Sequence, residues 1–407
     1  MKFRPLLSVA ILLAAASLTF SAGAKKKASK NKPKETVEQV VVESPVFIDT
    51  VKKRVPVAPD INSSYCRAAQ SDSVLRVAIV LSDMSGNRDT EFLRGFLLGA
   101  QNVDVPEDAL SLKVINGQIP ADSLISVLNE FNPNTIFSTH EKETPKALLD
   151  YAQGNYVKFI SVFDAKSDDY RNYPGVYQLL APSTYFNAET AKYLMNNYAD
   201  NVLLIVNDPE ENDQIAWDMI QICPQDQLDF VTLADLPKYK FEEGVNYIIY
   251  PTIKADKDLA SFITEVQKKV KSSPLSGIRV IGRPNWVTVK DLDQKVNGVE
   301  VLVPAKCYFD PLADASKRFI KDYNAEYGKP PIRSYPVYAV MGSDAARYFI
   351  PAVMGEIRGT KGEWTPEDLV QSYFNFGDEG WGQGAFNQGT YILHFSPGKK
   401  MKKDLVN

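Results

Sequence analysis

The sequence predicts an α/β fold with two lobes, each built on a doubly wound parallel sheet. Its 407 residues exceed the roughly 250 to 300 residues at which a single hydrophobic core stops growing. Apolar runs typical of buried strands alternate with helical patterns along most of the chain, which favours parallel pairing through right-handed crossovers. Residues 176–208 read as strand, short hinge, helix and strand, and we interpret them as the passage from one lobe to the next.

The amino terminus is typical of a secretory signal peptide. Lys2 and Arg4 precede an apolar run at residues 6–20, and small residues follow up to Ala24, where we expect cleavage. The run is shorter than the about 20 residues of a membrane span, so the mature protein is expected to be periplasmic or otherwise exported, and soluble. The net charge of −4 provides no basic face for phosphates, and no nucleic-acid partner is expected.

Two lysine-rich segments flank the predicted lobes. Residues 25–73 form a leader that begins KKKASKNKPK, and residues 398–407 form a basic tail. Such charge runs are usually solvated, and the alternative is peripheral contact of the leader with an anionic surface of the envelope. Cys66, Cys223 and Cys307 allow one disulfide at most or serve as packing residues, and their wide spacing is not that of a zinc site.

Local signals predict where several helices begin. Lobe 1 is expected to open with a buried strand at residues 74–81, followed by a helix for which Thr90 suits the N-cap. Late in the chain, Ser343 is interpreted as the cap of one helix, and Pro366 fits the first turn of another. Ser343 and Pro366 are therefore expected to mark where two late helices of lobe 1 begin.

Three segments resemble the type 1 periplasmic binding proteins, the family of branched-chain amino-acid binding proteins and receptor ligand-binding regions. RVAIVLSDMSG with FLRGFLLGAQ is similar to that family's opening strand, ligand loop and first helix, and VYQLLAPSTYFNAETAKYL is similar to its first interlobe crossing. The run from ASKRFIKDYNAEYG to GSDAARYFIPAV is similar to its late segment, in which a helix begins near an Asp-Ala pair.

The resemblance implies two lobes joined by a three-crossing hinge that close on a small ligand. With the strand pattern, it places lobe 1 at residues 74–182 and about 304–385. Lobe 2 is placed at residues 183–303 and about 386–397.

The loops after the strands contain the candidate ligand-binding residues. Hydroxyl groups and free backbone N–H groups after a strand suit a carboxylate, and the resemblance implies that Ser138 and Thr139 hold it. The loop after Gly282 offers Arg283 and no acid before Asp291, so an anionic or sugar-like ligand fits better than a standard α-amino acid. The candidate set that the resemblance implies is Ser82, Ser85, Ser138, Thr139, His140, Asp164, Thr252, Lys254, Arg283, Trp286 and Tyr308.

Two functions stay open at this point. The sequence contains no Gly-x-Ser-x-Gly elbow, His-Glu-x-x-His helix or Walker loop, so we expect neither an enzyme nor a bound cofactor or metal. The leading hypothesis is an exported solute-binding protein whose closed state is recognised by a membrane transporter or a sensor. The alternative is an envelope interaction or scaffold protein that keeps the fold without a ligand and uses the lysine-rich leader and tail as contacts. Individually, Trp286 is interpreted as a packing residue and His140 as a turn residue or a surface histidine.

Overall fold

The computed structural model contains two seven-stranded sheets with helices packed around them, which confirms the predicted fold class. Cys66, Lys254 and Pro366 lie outside the described residues, as does the leader. Within the described part of the chain, no helix combines the length and apolar character that a bilayer crossing requires. The described residues are 10–11, 74–103, 105–141, 144–165, 169–210, 213–253, 256–273, 277–358, 369–376 and 384–406.

The sheet of lobe 1 is parallel throughout its described pairs. Its strands are β1 Ala10–Ile11, β2 Leu75–Leu81, β3 Leu110–Asn116, β4 Thr135–Ser138, β5 Lys158–Ser161, β6 Val176–Gln178 and β12 Ala385–Phe386. They lie in the order β1-β3-β2-β4-β5-β6-β12. The short β1, which falls within the predicted signal peptide, pairs with β3 at the sheet edge.

The continuous apolar run of β2 is explained by burial on both faces of the sheet. Val77 and Ile79 belong to one hydrophobic cluster, whereas Ala78 and Val80 belong to another. Side chains of a strand alternate between its faces, so a strand covered by helices on both sides is apolar at every position. The helices of lobe 1 are α1 Asn87–Gln101, α2 Ala121–Phe131, α3 Lys146–Gly154, α8 Asp314–Tyr327 and α9 Tyr338–Arg358.

Two of the predicted helix starts are wrong. Helix α1 begins at Asn87 after an extended Gly86, and the amide of Thr90 already donates to the carbonyl of Gly86, so Thr90 lies in the first turn. Ser343 lies inside α9, where it is 3% exposed and packs against Gly99 of α1. It is the backbone of Ser343 that lies against Gly99, and the residue does not cap a helix.

Helices α1 and α9 pack so closely that their contact requires glycine. A Cβ atom added at Gly95 would collide with the carbonyl oxygen of Ala339, and one at Gly342 would collide with that of Phe92. Gly95→Ala is therefore expected to lower the free energy of unfolding by about 1 to 3 kcal/mol, because the two helix backbones must separate. Urea denaturation measures this change.

Gly154→Ala at the end of α3 is the matched control, because no atom of the described residues lies within 4 Å of the added Cβ atom. This control is expected to leave stability unchanged or to raise it slightly, since alanine restricts the unfolded chain. Equal stability of the Gly95 and Gly154 variants would contradict the close helix contact.

Lobe 2 repeats the parallel arrangement and adds two antiparallel strands. Its strands are β7 Val202–Val206, β8 Leu228–Val231, β9 Tyr247–Pro251, β10 Ile278–Ile281, β11 Glu300–Ala305, β13 Tyr391–Phe395 and β14 Lys402–Leu405. They lie in the order β14-β13-β11-β10-β9-β7-β8. Strands β13 and β14 run antiparallel at one edge, and β14 lies in the segment interpreted as a basic tail. The helices are α4 Ser183–Asn197, α5 Gln214–Ile222, α6 Asp256–Ser272 and α7 Leu292–Lys295.

The order of the strands locates a crevice in each lobe. The parallel parts, β3-β2-β4-β5-β6 and β8-β7-β9-β10-β11, share one order in which the second strand lies outside the first. The direction of winding changes between the first and third strands, and loops at that switch point form the natural ligand crevice of such sheets. The chain crosses between the sheets three times: from β6 to α4, after β11, and from β12 to β13.

Candidate functional site

The switch point of lobe 1 brings together the loops after β2 and β4. The amide of Ser82 donates to the hydroxyl oxygen of Thr139 at 2.8 Å, and the amide of Thr139 donates to the carbonyl of Val80 at 3.1 Å. These contacts follow from the pairing of the two strands, which ends with Val80 opposite Ser138. The structure thus places Ser82 and Thr139 side by side, as expected from their positions after neighbouring strands.

A carboxylate of the chain itself occupies this switch point. Asp89, in the first turn of α1, is 1% exposed. One of its oxygens, Oδ2, accepts hydrogen bonds from the Ser82 hydroxyl at 2.8 Å, the Asp83 amide at 2.9 Å and the Thr139 hydroxyl. The positive end of the α1 dipole adds to this stabilisation. Of the two residues expected to hold a ligand carboxylate, Thr139 is therefore already bonded to Asp89 through its hydroxyl, whereas the Ser138 hydroxyl lies against His140.

Arg88 completes the arrangement. Its Nε donates to Asp89 Oδ1 at 2.9 Å, and its Nη2 donates to Ser82 Oγ at 3.0 Å and to the Thr139 carbonyl at 3.3 Å. Its Nη1 bonds to Glu141 at 2.7 Å, and the guanidinium lies 4.8 Å from the ring centroid of Phe163. We refer to Ser82, Arg88, Asp89 and Thr139 as the Asp89 cluster, in which charges and donors are satisfied within the chain.

The other lobe 1 candidates surround this cluster in different environments. Ser85 is exposed and donates through its amide and hydroxyl to Asp83 Oδ1 at 2.9 and 2.7 Å, which lowers the pKa of Asp83. Ser138 is fully buried and lies 2.8 Å from Nδ1 of His140. Desolvation lowers the pKa of His140, so its imidazole is neutral at pH 7. Asp164 is fully buried and accepts from the Tyr170 hydroxyl at 2.9 Å.

Lobe 2 places an acid beside Arg283. Arg283 Nη2 lies 3.5 Å from Asp213 Oδ2, and the Asp213 side chain is 4% exposed. Asp213 also accepts from the hydroxyl of Tyr250 at 3.0 Å, and burial raises the pKa of Tyr250 well above its usual value. The acid that is absent from the loop after Gly282 is therefore supplied by the residue that precedes α5.

The remaining candidates within the described residues, Thr252, Trp286 and Tyr308, have structural partners. Thr252 binds the backbone at the end of β7, because its hydroxyl donates towards the carbonyls of Val206 and Asp208 at 3.2 Å each. Trp286 is 3% exposed in the core of lobe 2, with its ring 6.4 Å from that of Phe262, as the packing interpretation predicts. Tyr308 is half-buried, and its amide donates to the Gln371 carbonyl at 3.0 Å; burial raises its pKa to about 12.

Sequence reasoning missed the two carboxylates that organise these sites. Asp89 has the position of an acid that complements a helix dipole, and Asp213 has that of a helix N-cap. Nothing local indicates that Asp89 bonds to Thr139, 50 residues away. Two features of the sequence could have indicated this contact. An acid directly follows Arg88, and the loop after the neighbouring strand is rich in hydroxyl groups.

Buried thiols do not contribute chemistry to either site. Cys223 and Cys307 are free and buried, and burial raises the pKa of both, that of Cys307 to about 12. Their thiols are therefore protonated at neutral pH. Within the described residues, no group of three or more His, Cys, Asp or Glu side chains is arranged to hold a metal ion.

The fold is similar to that of solved substrate-binding proteins. An ABC transporter substrate-binding protein from Desulfitobacterium hafniense is 16% identical, with 81% of this chain and 99% of that chain covered and a TM-score of 0.46. The branched-chain amino acid substrate-binding protein LivJ from Streptococcus pneumoniae, solved with isoleucine, is 11% identical, with 82% and 99% covered and a TM-score of 0.43.

A solved protein with a different described role is also similar. The C-domain of LpoA from Haemophilus influenzae, described as a regulator of PBP1A, is 14% identical, with 81% and 99% covered and a TM-score of 0.49. No family model and no curated protein matches the sequence. At these identities and TM-scores the similarities give no information on ligand or partner, and the resemblance to type 1 periplasmic binding proteins is one of fold.

Proposed function

We propose that the chain is an exported interaction protein that uses a two-lobed binding-protein fold without a carboxylate ligand in lobe 1. The Asp89 cluster is the observation that supports this proposal. Asp89 is bonded to the Ser82 and Thr139 hydroxyls, two donors of the candidate ligand-binding set. Because a buried carboxylate already satisfies them, a second carboxylate at this place would meet repulsion instead of free donors.

The charge of Arg88 supports the same conclusion. Its guanidinium bonds to Asp89 and Glu141, so its positive charge is balanced by two carboxylates. A free anion that took the place of Asp89 on Arg88 would leave the Asp89 carboxylate in a buried place without its counter-ion. Such an exchange is unfavourable even for a ligand of good shape.

A ligand panel tests the proposal. Thermal unfolding of the protein is measured with amino acids, short peptides, sugars, nucleosides and organic acids. A ligand at about 100 times its dissociation constant adds roughly 2.7 kcal/mol to stability, which is easily detected as a raised midpoint. We expect no shift with any carboxylate ligand, and a reproducible shift with an amino acid or an organic acid would overturn the proposal.

The partner is expected to be a protein of the envelope. Cross-linking in intact cells, identification of the linked protein and rebinding of the two purified proteins test this part. A stoichiometric complex that forms without any added small molecule is expected. A complex that requires a small molecule would favour solute sensing instead.

A second candidate function is solute binding through lobe 2, with a transporter or sensor as the membrane partner. The favouring observation is the Arg283–Asp213 pair, which places opposite charges 3.5 Å apart beside the strand ends and complements a zwitterion. Under this candidate, Arg283→Ala weakens binding of the panel ligand by a few kcal/mol at most, about the cost of losing one partner of a charge pair, without unfolding the chain. Equal affinity in the variant would remove Arg283 from the site.

A further inference from the structure

Hydrogen bonds tie the second crossing to the first. Lys306 directly follows β11, and its Nζ donates to the Ala181 carbonyl at 2.7 Å and to Ser183 Oγ at 3.2 Å. The same ammonium lies 5.3 Å from the ring centroid of Phe186. Ala181 and Ser183 belong to the passage from β6 into α4, so one largely buried side chain links two of the three connections between the lobes.

The third crossing is tied to the first by Asn387. This residue is 2% exposed; its amide donates to the Gln178 carbonyl at 2.9 Å, and its Nδ2 donates to the Leu179 carbonyl at 3.2 Å. Its Oδ1 accepts from the amides of Asn375 and Gly389 at 2.9 Å each. These hydrogen bonds therefore join Asn387 to backbone groups of the crossings or of the segment beside them.

Direct contacts between the lobes surround these links. Ser183, the first residue of α4 in lobe 2, donates through its amide and hydroxyl to the carbonyl of Ala165 in lobe 1 at 2.8 and 3.1 Å. The ring of Tyr185 lies 4.8 Å from that of Phe386, edge to face. Tyr373 packs against the core of lobe 2, whereas residues 370–372 are bonded to Asp344 of α9 in lobe 1.

We propose that these contacts form an interlobe joint that holds the two lobes in one relative orientation, so that the protein does not open and close as a hinge. Hinge closure requires the crossing segments to change their backbone dihedral angles. Here such a change would separate Lys306 and Asn387 from their acceptors in largely buried surroundings, where unpaired polar groups are costly. Burial also lowers the pKa of Lys306 to about 8, and the described partners of its ammonium are a carbonyl and a hydroxyl oxygen, which stabilise the charge there.

The proposed joint is independent of whether the protein binds a ligand. A protein with a fixed joint can present a constant surface to a partner, or it can bind a solute without closing. It differs from the closure that the family resemblance implies, and the two are separated by a distance measurement across the lobes.

Pulsed electron paramagnetic resonance on the full chain measures that distance. Ser123→Cys on α2 and Ser261→Cys on α6 supply exposed labelling sites in the two lobes, in a Cys66→Ser background. The buried Cys223 and Cys307 thiols are expected to stay unlabelled. We expect one narrow distance distribution, unchanged by every compound of the ligand panel.

The variant Lys306→Met with Asn387→Ala is expected to broaden this distribution or to add a second distance, with near-native circular dichroism. Lys306→Met alone is interpreted in the same way if the double variant does not fold. Lys317→Met on α8, an exposed lysine paired with Asp314, is the matched control and should leave the distribution unchanged.

Two outcomes overturn the joint: a broad or two-state distribution in the unmodified background, or a distribution in the folded Lys306 and Asn387 variants that matches the control. The thermal midpoints of the same labelled samples separate the two proposals. An amino acid or organic acid that raises the midpoint at constant distance contradicts the proposed function and leaves the joint intact. A ligand that changes the distance contradicts the joint.

Discussion

Replacing Asp89 with alanine is expected to lower the free energy of unfolding by about 3 to 5 kcal/mol, the range for removing one partner of a buried ion pair. The carboxylate is 1% exposed, accepts from the hydroxyls of Ser82 and Thr139 and pairs with Arg88. Its loss takes this acceptor from two hydroxyls, the Asp83 amide and the Nε of Arg88 in a largely buried place. Equilibrium unfolding in urea measures the change.

The same variant is expected to bind small carboxylates that the natural protein does not bind. Acetate or formate can take the place of the lost side chain, because the variant keeps the Ser82 and Thr139 hydroxyls and the Arg88 charge. We expect either anion to raise the unfolding midpoint of Asp89→Ala in a concentration-dependent manner at constant ionic strength. Chloride at the same concentration separates this effect from general screening.

Asp83→Ala is the matched control, since it removes an acid from the same loop without emptying the switch point. Its midpoint is expected to be independent of acetate. If acetate also stabilised the natural protein, a free carboxylate site would exist beside Asp89, and the solute-binding hypothesis would gain support. If acetate stabilised neither variant, Asp89 would be a structural residue that does not stand in for a ligand.

Periodicity along the chain was sufficient to predict the lobes and most of their strands. The run at β7 is apolar at each position because four of its five residues are buried between layers of helices. The apolar run of β2 is explained by the same burial. Helix starts were harder to predict, because they depend on neighbours in space. Ser343 looks like a cap in isolation, yet it lies within α9, where its backbone packs against Gly99 of α1.

The candidate site shows a different limit of sequence reasoning. Strand order explains why Ser82 and Thr139 meet, so positions after strands could be predicted to share a crevice. Whether the hydroxyl groups of Ser82 and Thr139 are free to bind a ligand could not be predicted, because this depends on the Asp89 side chain. Its position on α1 relative to the two loops cannot be read from the local sequence. Trp286 illustrates the same point, since only the packing of Phe262 and Gly282 around it places its ring in the core.

Asp344 provides the second large expected effect. Its side chain is fully buried in α9; Oδ1 accepts the Val370 amide at 2.8 Å, and Oδ2 accepts the amides of Gln371 and Ser372 at 3.0 and 2.9 Å. Burial raises the pKa of this carboxyl. Asp344→Ala leaves three backbone donors unsatisfied and is expected to cost at least about 3 kcal/mol, since each buried unpaired group costs about 1 to 3 kcal/mol.

Amide hydrogen exchange locates this loss in the molecule. Faster exchange is expected at residues 370–372 in Asp344→Ala, because the segment is released from α9. Asp344→Asn keeps one acceptor oxygen and should lie between the natural protein and the alanine variant. Asp314→Ala, at an 88% exposed side chain, should change neither stability nor exchange.

The Asp344 experiment also decides what the Asp-Ala pair of the family resemblance does in this chain. The pair lies inside α9 and does not begin a helix, so its acid is available to bind the segment that carries Tyr373 into the core of lobe 2. Loss of stability without faster exchange at residues 370–372 would contradict this clamp. Loss of stability together with faster exchange at residues 370–372 would make Asp344 a residue that links lobe 1 to the crossings. The link arises because the Gln371 carbonyl in the clamped segment accepts a hydrogen bond from the amide of Tyr308.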